Sequence, residues 1–362
     1  MTAAAEARPI VARNRAADRR VVRTWLHIVA LMIVAMVVVG GATRLTGSGL
    51  SITEWKPIHG VVPPRNEGEW QEEFARYREI PQFVIVNPGM TLAEFQTIFW
   101  WEWGHRLLGR LIGVVVLAPL AFFWLTGRLE AKLKPKLVAI FLLGGLQGAI
   151  GWWMVASGLS ERVSVSQYRL TIHLTLACII LAYVVWVARS IAPPSRGRDD
   201  LAYTPDSLRV SGTVVLALVF VQIVLGGLVA GLKAGFTFNT WPLMDGTLVP
   251  AGLFILEPWW VNFGENVMMV QLAHRVGAYL LFAAALVHAL LARRTAEAAG
   301  AWILFGLVAL QAAIGILTLI HVTPLSLALL HQLGAVVVLW GAVTHLRAMS
   351  PPLAMAKGGQ GA

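Results

Sequence analysis

Charge is what this sequence has least of. Asp, Glu, Lys and Arg make up 13% of its 362 residues against 57% hydrophobic, and the mean hydropathy is +0.69. A soluble domain carries about 25% charged residues, so an ordinary water-exposed fold is excluded and a lipid bilayer is the expected solvent. Cysteine is nearly absent as well. The single Cys178 excludes an intrachain disulfide and any cysteine-rich zinc site, and in the middle of an apolar run it reads as plain packing. Acids are scarcer than bases, 19 against 29, which gives a net charge of +10. That balance would suit a nucleic-acid binder if the bases formed one patch, but they sit between apolar runs, as the positive-inside rule for membrane proteins requires.

What is present is long hydrophobic runs. A bilayer span needs about 20 mostly apolar residues, and eight runs qualify: roughly 25–43, 104–125, 137–156, 170–188, 210–230, 271–291, 300–320 and 326–346. The first has no small-residue cleavage site after it and is read as a retained span rather than a removed leader. Most of the bases flank alternate ends of these runs. They are Arg8, Arg13, Arg15, Arg19, Arg20 and Arg23 before span 1; Arg128, Lys132, Lys134 and Lys136 after span 2; Arg189, Arg196, Arg198 and Arg209 between spans 4 and 5; Arg293 and Arg294 after span 6; and Arg347 and Lys357 after span 8. Both termini are therefore expected in the cytoplasm, and the loops after spans 1 and 5 on the outer, periplasmic side.

The chain repeats itself. Gly40 to Pro64 aligns without a gap on Gly226 to Pro250, with Gly40, Gly41, Gly49, Trp55, Gly60 and Pro64 falling on Gly226, Gly227, Gly235, Trp241, Gly246 and Pro250, and Ser51 on Thr237. Farther on, His105-Arg106 matches His274-Arg275, Gln147 and Gly151 match Gln311 and Gly315, and His173 matches His331. Spans 1–4 thus recur as spans 5–8. The expected fold is an all-α integral membrane protein of eight transmembrane helices, arranged as two tandem pseudo-symmetric four-helix bundles. The divisions are a basic tail over 1–24, an N-terminal half over 25–188 with a long outer loop over 44–103, a linker over 189–209, a C-terminal half over 210–346, and a tail over 347–362. In the first outer loop Trp70, Phe74 and Tyr77 recur at helical spacing and predict a short helix lying on the membrane surface. After the turn signal Asn87-Pro88-Gly89, Thr91 and Glu94 predict a capping box that starts a helix running toward Trp100. The glycine pairs Gly40-Gly41, Gly226-Gly227 and Gly144-Gly145 are read as close-packing positions between helices.

Of nine histidines, His105, His173, His274 and His331 occupy the outer ends of spans 2, 4, 6 and 8. One histidine in a span is more often a packed, hydrogen-bonded group, but equivalent placement in both repeats points to ligands. Each half offers two imidazoles and no thiolate. That set suits a haem iron held from both faces in an apolar bundle better than a structural zinc. Arg106 and Arg275, each following a site histidine, match the geometry of haem propionates, with contact to lipid headgroups as the equal alternative. His27, His59, His288 and His345 carry less signal. His321, in the turn before span 8 where the other repeat has Ser157, reads as a surface group. The halves differ at one telling position: Glu102 stands one turn before His105, whereas Gln271 stands one turn before His274. A carboxylate there can accept a proton or stabilise positive charge, or it can simply pair with Arg106 or Arg110. The tryptophans read chiefly as an interfacial belt, with Trp55 and Trp241 as candidate covers of a haem edge.

Taken together, Gly-Ala-Thr-Arg-Leu-Thr-Gly-Ser-Gly-Leu-Ser-Ile-Thr-Glu-Trp over Gly41–Trp55, Glu-Trp-Gly-His-Arg over Glu102–Arg106, Asn-Thr-Trp-Pro-Leu-Met-Asp over Asn239–Asp245 and Ala-His-Arg over Ala273–Arg275 resemble the haem A synthase family along nearly the whole chain. The absence of paired loop cysteines is similar to its proteobacterial and mitochondrial branch. The resemblance implies oxidation of the C8 methyl of haem O to the formyl of haem A for terminal cytochrome oxidase, with four electrons leaving the substrate. By the same resemblance Glu102, His105 and His173 form the catalytic site for haem O, and His274 and His331 hold a haem b that passes electrons. The implied partners are haem O, haem O synthase, cytochrome oxidase assembly factors, an electron acceptor and membrane lipid, with a homo-oligomer left open and nucleic acid excluded. The implied location is the bacterial inner membrane, with the haem sites toward the periplasm. Two rival readings remain at this stage: a bis-histidine cytochrome that only transfers electrons, and a haem carrier or assembly chaperone that leaves the porphyrin unchanged.

Overall fold

A computed structural model describes residues 3–56, 59–191 and 204–350, with side chains from Arg15 onward. The tail before Arg15, most of the linker after span 4 and the C-terminal tail, with Arg8, Arg13, Arg196, Arg198 and Lys357, lie outside what is described at side-chain level. The described chain is helical: α1 (Ala3–Leu45), α2 (Glu67–Arg78), α3 (Leu92–Leu125), α4 (Lys134–Ala156), α5 (Gln167–Ser190), α6 (Asp206–Gly231), α7 (Asn262–Glu265), α8 (Val267–Ala292), α9 (Ala298–Ile320) and α10 (Leu325–Met349). Among the described residues there is no strand beyond an isolated bridge between Met244 and Thr247. Eight helices are long and apolar enough to cross a membrane, and they coincide with the eight runs read from the sequence. The protein is therefore a multi-pass membrane protein.

Helix neighbours fall into two circuits. α1 packs on α3, α3 on α4, α4 on α5 and α5 back on α1; α6 packs on α8, α8 on α9, α9 on α10 and α10 back on α6. The circuits meet where α5 touches α6 and α10, and where α1 touches α10. Small residues permit the close approach there. A Cβ at Gly41 on α1 would fall 1.8 Å from the Gln332 amide oxygen of α10, and one at Gly227 on α6 would fall 2.8 Å from the Thr171 hydroxyl of α5. The basic ends lie together: Arg19 pairs with Glu130, Arg347 Nε donates to Ser190 Oγ at 2.8 Å, and Arg209 Nε donates to the Met349 carbonyl at 2.9 Å. Cys178 is buried in the main apolar core, in keeping with a packing role.

Two sequence expectations change. α3 is continuous from Leu92 because the Thr91–Glu94 capping box closes in both directions and starts the helix well before the apolar run. The outer loop drawn to residue 103 therefore ends at Thr91, and His105 sits several turns inside its helix. α2 forms as spaced, but its aromatic face does not lie on lipid. Phe74 and Tyr77 are buried with Phe95, Phe99 and Leu50 in a second, outer core, and the Trp70 ring stands edge-on to Phe99 at 4.9 Å. Packing on the projecting start of α3 removes that face from the membrane. Burial pushes the Tyr77 hydroxyl pKa up, keeping it a donor to Gln82 Oε1 at 3.1 Å. Gln82 in turn donates to the Gly47 carbonyl at 3.0 Å, tying this outer core to the turn after α1.

Candidate functional site

The four site histidines all stand on the second or fourth helix of a circuit, α3, α5, α8 and α10, and each faces a glycine on the helix before it. A Cβ at Gly151 on α4 would fall 2.9 Å from His173 Cε1, at Gly226 on α6 3.3 Å from His274 Cε1, at Gly315 on α9 2.7 Å from His331 Cε1, and at Gly40 on α1 3.0 Å from His105 Nε2. Glycine is required at these points because imidazole and backbone approach closer than a side chain would allow. One member of each of the pairs Gly40-Gly41 and Gly226-Gly227 therefore serves a histidine and the other the contact between circuits. The Gly144-Gly145 pair departs from the close-packing expectation: an added Cβ would meet nothing within 4 Å at either position.

Three of the histidines carry a second restraint that sequence reading did not single out as such. Gln147, Gln222 and Gln311 each lie four residues before the site glycine, on the same face of the same helix. Their amide nitrogens donate to the backbone carbonyls of His173, His274 and His331 at 3.0, 3.0 and 2.7 Å, and lie 3.1 Å from Nδ1 of the same ring. The amide thus spans the base and the edge of the imidazole and fixes its rotamer. The signal was in the sequence as Gln-x-x-x-Gly, three times over.

In the second circuit the His274 and His331 rings face each other with centroids 6.4 Å apart and planes at 79°. Two imidazoles bound on opposite sides of one metal ion at about 2 Å each have ring centres about 6 Å apart. The observed 6.4 Å separation is close to that spacing. Neutral imidazoles in an apolar helical circuit are also the donor set that haem uses.

Above each site the chain after the first helix of the circuit folds back and is clamped. Glu102, 2% exposed, uses both oxygens. Oε1 accepts from Arg106 Nε at 3.1 Å and Nη2 at 2.6 Å; Oε2 accepts from Ser51 Oγ at 2.8 Å and from the Ile52 amide at 2.9 Å. Arg106 then donates to the carbonyls of Ile52 and Glu54 at 2.7 and 3.0 Å. The second circuit builds the same clamp with a neutral residue. Gln271 Nε2 donates to the Ala234 and Thr237 carbonyls at 2.8 and 2.6 Å, its Oε1 accepts from Arg275 Nη2 at 3.0 Å, and Arg275 Nη2 donates to the Phe238 carbonyl at 2.8 Å. The difference between Glu102 and Gln271 follows the loop backbone. Toward Glu102 the first loop presents donors, and toward Gln271 the second presents carbonyls. Arg275 Nε remains buried without a hydrogen-bond partner, whereas Arg106 Nε is engaged by Glu102. Asn239 locks the second loop by donating to the Gly235 and Leu319 carbonyls, both at 2.8 Å.

The remaining histidines separate. His321 is exposed at the end of α9, and His27 Nδ1 lies 2.7 Å from the Arg23 carbonyl. His288 and His345, which looked unremarkable as sequence, meet toward the end of the second circuit away from His274 and His331, with Nε2 atoms 2.8 Å apart. Trp55 and Trp241 are 49% and 45% exposed, and Trp55 stacks obliquely on Trp152 at 5.3 Å.

The fold and site define a class: a polytopic helical membrane protein with two circuits of four spans, each closing on a pair of inward histidines under a clamped outer loop. The chain belongs to the cytochrome oxidase assembly protein family, COX15-CtaA, whose family model matches residues 23–343. It is similar to proteins called Heme A synthase from Mesorhizobium japonicum, 55% identical over 352 residues that cover 96% of each chain; from a Chelativorans strain, 58% identical over 335 residues and 91% of each chain; and from Brucella ovis, 56% identical over 335 residues, 91% of this chain and 92% of the relative.

Proposed function

We propose that this protein is a haem A synthase, an oxidoreductase that converts the C8 methyl of haem O to the formyl of haem A. The observation that carries this reading is likeness over the full length to proteins named for that activity, with every site histidine standing in a built notch. Conversion of methyl to formyl adds one oxygen and removes four electrons and four protons relative to methyl plus water. A protein performing it must seat one porphyrin for reaction and give electrons a way out, and two histidine pairs in neighbouring circuits answer both needs.

The division of labour follows from the clamps. The first circuit receives haem O between His105 and His173, and Glu102 is a fixed negative charge one turn from His105 that favours positive charge developing at the substrate. Its four donors occupy the lone pairs a general base would need, so its contribution is electrostatic and positional. The second circuit holds haem b through His274 and His331, which supplies one-electron chemistry, and the 6.4 Å spacing of the rings supports that. Arg275 keeps one buried donor, Nε, for a haem propionate; Arg106 acts by holding the loop over the substrate. The farnesyl tail of haem O is accommodated in lipid or between helices, which is why the enzyme is membrane-bound. We place both termini in the cytoplasm of the bacterial inner membrane, the haem sites toward the periplasm, and the two halves about an axis along the membrane normal. Haem O synthase and oxidase assembly factors are the partners this role implies.

The test is expression of the full chain in cells that make haem O but no haem A, followed by mass spectrometry of extracted haems. Appearance of haem A is the expected result. Haem b alone, with haem O unchanged, would refute the assignment in favour of an electron carrier or haem chaperone.

A further inference from the structure

The four histidine notches are not equivalent, and the exception falls in the half to which we assign the substrate. Three notches pair glutamine with glycine four residues on, and in each the ring turns its Cε1 edge to the glycine. At His105 the glutamine position is occupied by Met36, four residues before Gly40. Its methyl packs toward Gly109, which lies 3.5 Å away when given a Cβ, one turn beyond the histidine. A thioether donates no hydrogen bond. Accordingly the His105 carbonyl receives no side-chain amide, and among the described residues its ring makes no hydrogen bond. The ring is also turned differently from the other three. The atom nearest Gly40 is Nε2, the nitrogen that would ligate iron, and Cε1 is farther off at 3.8 Å.

We infer that His105 is the ligand that yields its place to a small exogenous diatomic molecule, and that Met36 is the positioning residue that permits it. This rests on the reading of His105 and His173 as the pair that receives haem O. A histidine whose ring is held by an amide anchored on its own carbonyl must break the ring contact to swing away. His105 has no such hydrogen bond to break, and methionine is the most adaptable apolar side chain to pack beside a moving ring. The other three ligands are locked. His173 therefore holds the substrate from its fixed side while the His105 side opens, and the His274–His331 pair stays closed and confined to electron transfer. One neutral hydrogen bond is worth a factor of about ten in such an equilibrium.

The experiment uses the purified full-length protein with its haems, reduced with dithionite and titrated with carbon monoxide while the difference spectrum is recorded. The unmodified chain is expected to bind carbon monoxide at one class of haem. Met36→Gln should raise the half-saturating concentration about tenfold, Met36→Leu should match the unmodified chain, and Gln311→Leu should open a second carbon monoxide-binding haem. Met36→Gln behaving like Met36→Leu would overturn the proposal. So would a Gln311→Leu variant that stays closed. If Met36→Gln misfolds, loss of the low-spin spectrum of the other circuit will reveal it, and the Gln311→Leu arm still decides. Carbon monoxide binding does not depend on turnover: a chain that makes no haem A sinks the proposed activity, whereas an unaltered titration sinks this inference alone.

Discussion

Replacing Glu102 with glutamine changes one atom and disturbs four hydrogen bonds. The carboxylate receives two donors from Arg106 on one oxygen and Ser51 Oγ with the Ile52 amide on the other. An amide has one acceptor. Turned toward Arg106, its nitrogen faces Ser51 and Ile52. The Ser51 hydroxyl can reverse and accept, but the Ile52 N–H cannot, and it is left without a partner in a site where the side chain is 2% exposed. Turned the other way, its nitrogen meets the guanidinium. The first orientation costs less: an orphaned backbone donor at about 1–3 kcal/mol plus a weakened bond to Arg106 gives about 3 kcal/mol in all, or roughly a hundredfold in loop opening. Hydrogen-exchange mass spectrometry on peptides covering residues 46–56 should show this acceleration in Glu102→Gln, and haem A formation in cells should fall in parallel. Unchanged exchange would refute the clamp. Accelerated exchange with normal haem A production would leave the clamp standing and remove Glu102 from catalysis.

Gln271→Glu should harm the second clamp, because a carboxylate oxygen would face the Ala234 and Thr237 carbonyls at 2.8 and 2.6 Å; we expect faster exchange over residues 232–240 and a loss of about 2–4 kcal/mol. Gly315→Ala puts a methyl 2.7 Å from the His331 ring and should abolish the low-spin haem b spectrum, while Gly226→Ala, with 3.3 Å available, should only shift it. His274→Ala or His331→Ala should remove that spectrum outright, and His105→Ala should chiefly stop turnover; the reverse pattern would mean the halves are exchanged. His288→Leu strands Ser211 and His345, whose contacts to His288 are both 2.8 Å. It should lower thermal stability by about 2 kcal/mol with haem A formation retained, and loss of haem A without loss of stability would contradict a structural role.

The sequence by itself determined the solvent, the number of spans, the duplication and the four matched histidine positions. Each is written locally or periodically: apolar runs of span length, a gapless repeat from Gly40 to Pro64, and histidines at matched places farther along the two halves. The capping box at Thr91 and Glu94 was legible for the same reason, since both partners lie within one turn. The tertiary structure decided what depends on which face meets which neighbour. Only packing shows that the aromatic side of α2 covers α3 rather than lipid, that a side chain at Gly144 or Gly145 would meet open space while one at Gly151 would meet a histidine, and that His288 and His345 meet across helices separated by more than fifty residues. The contrast between Glu102 and Gln271 was visible in sequence as a difference in charge. Its second meaning, a clamp matched to a loop that presents donors to Glu102 in one half and carbonyls to Gln271 in the other, required the backbone, because hydrogen-bond polarity is set by how a chain folds back and leaves no mark on composition or spacing.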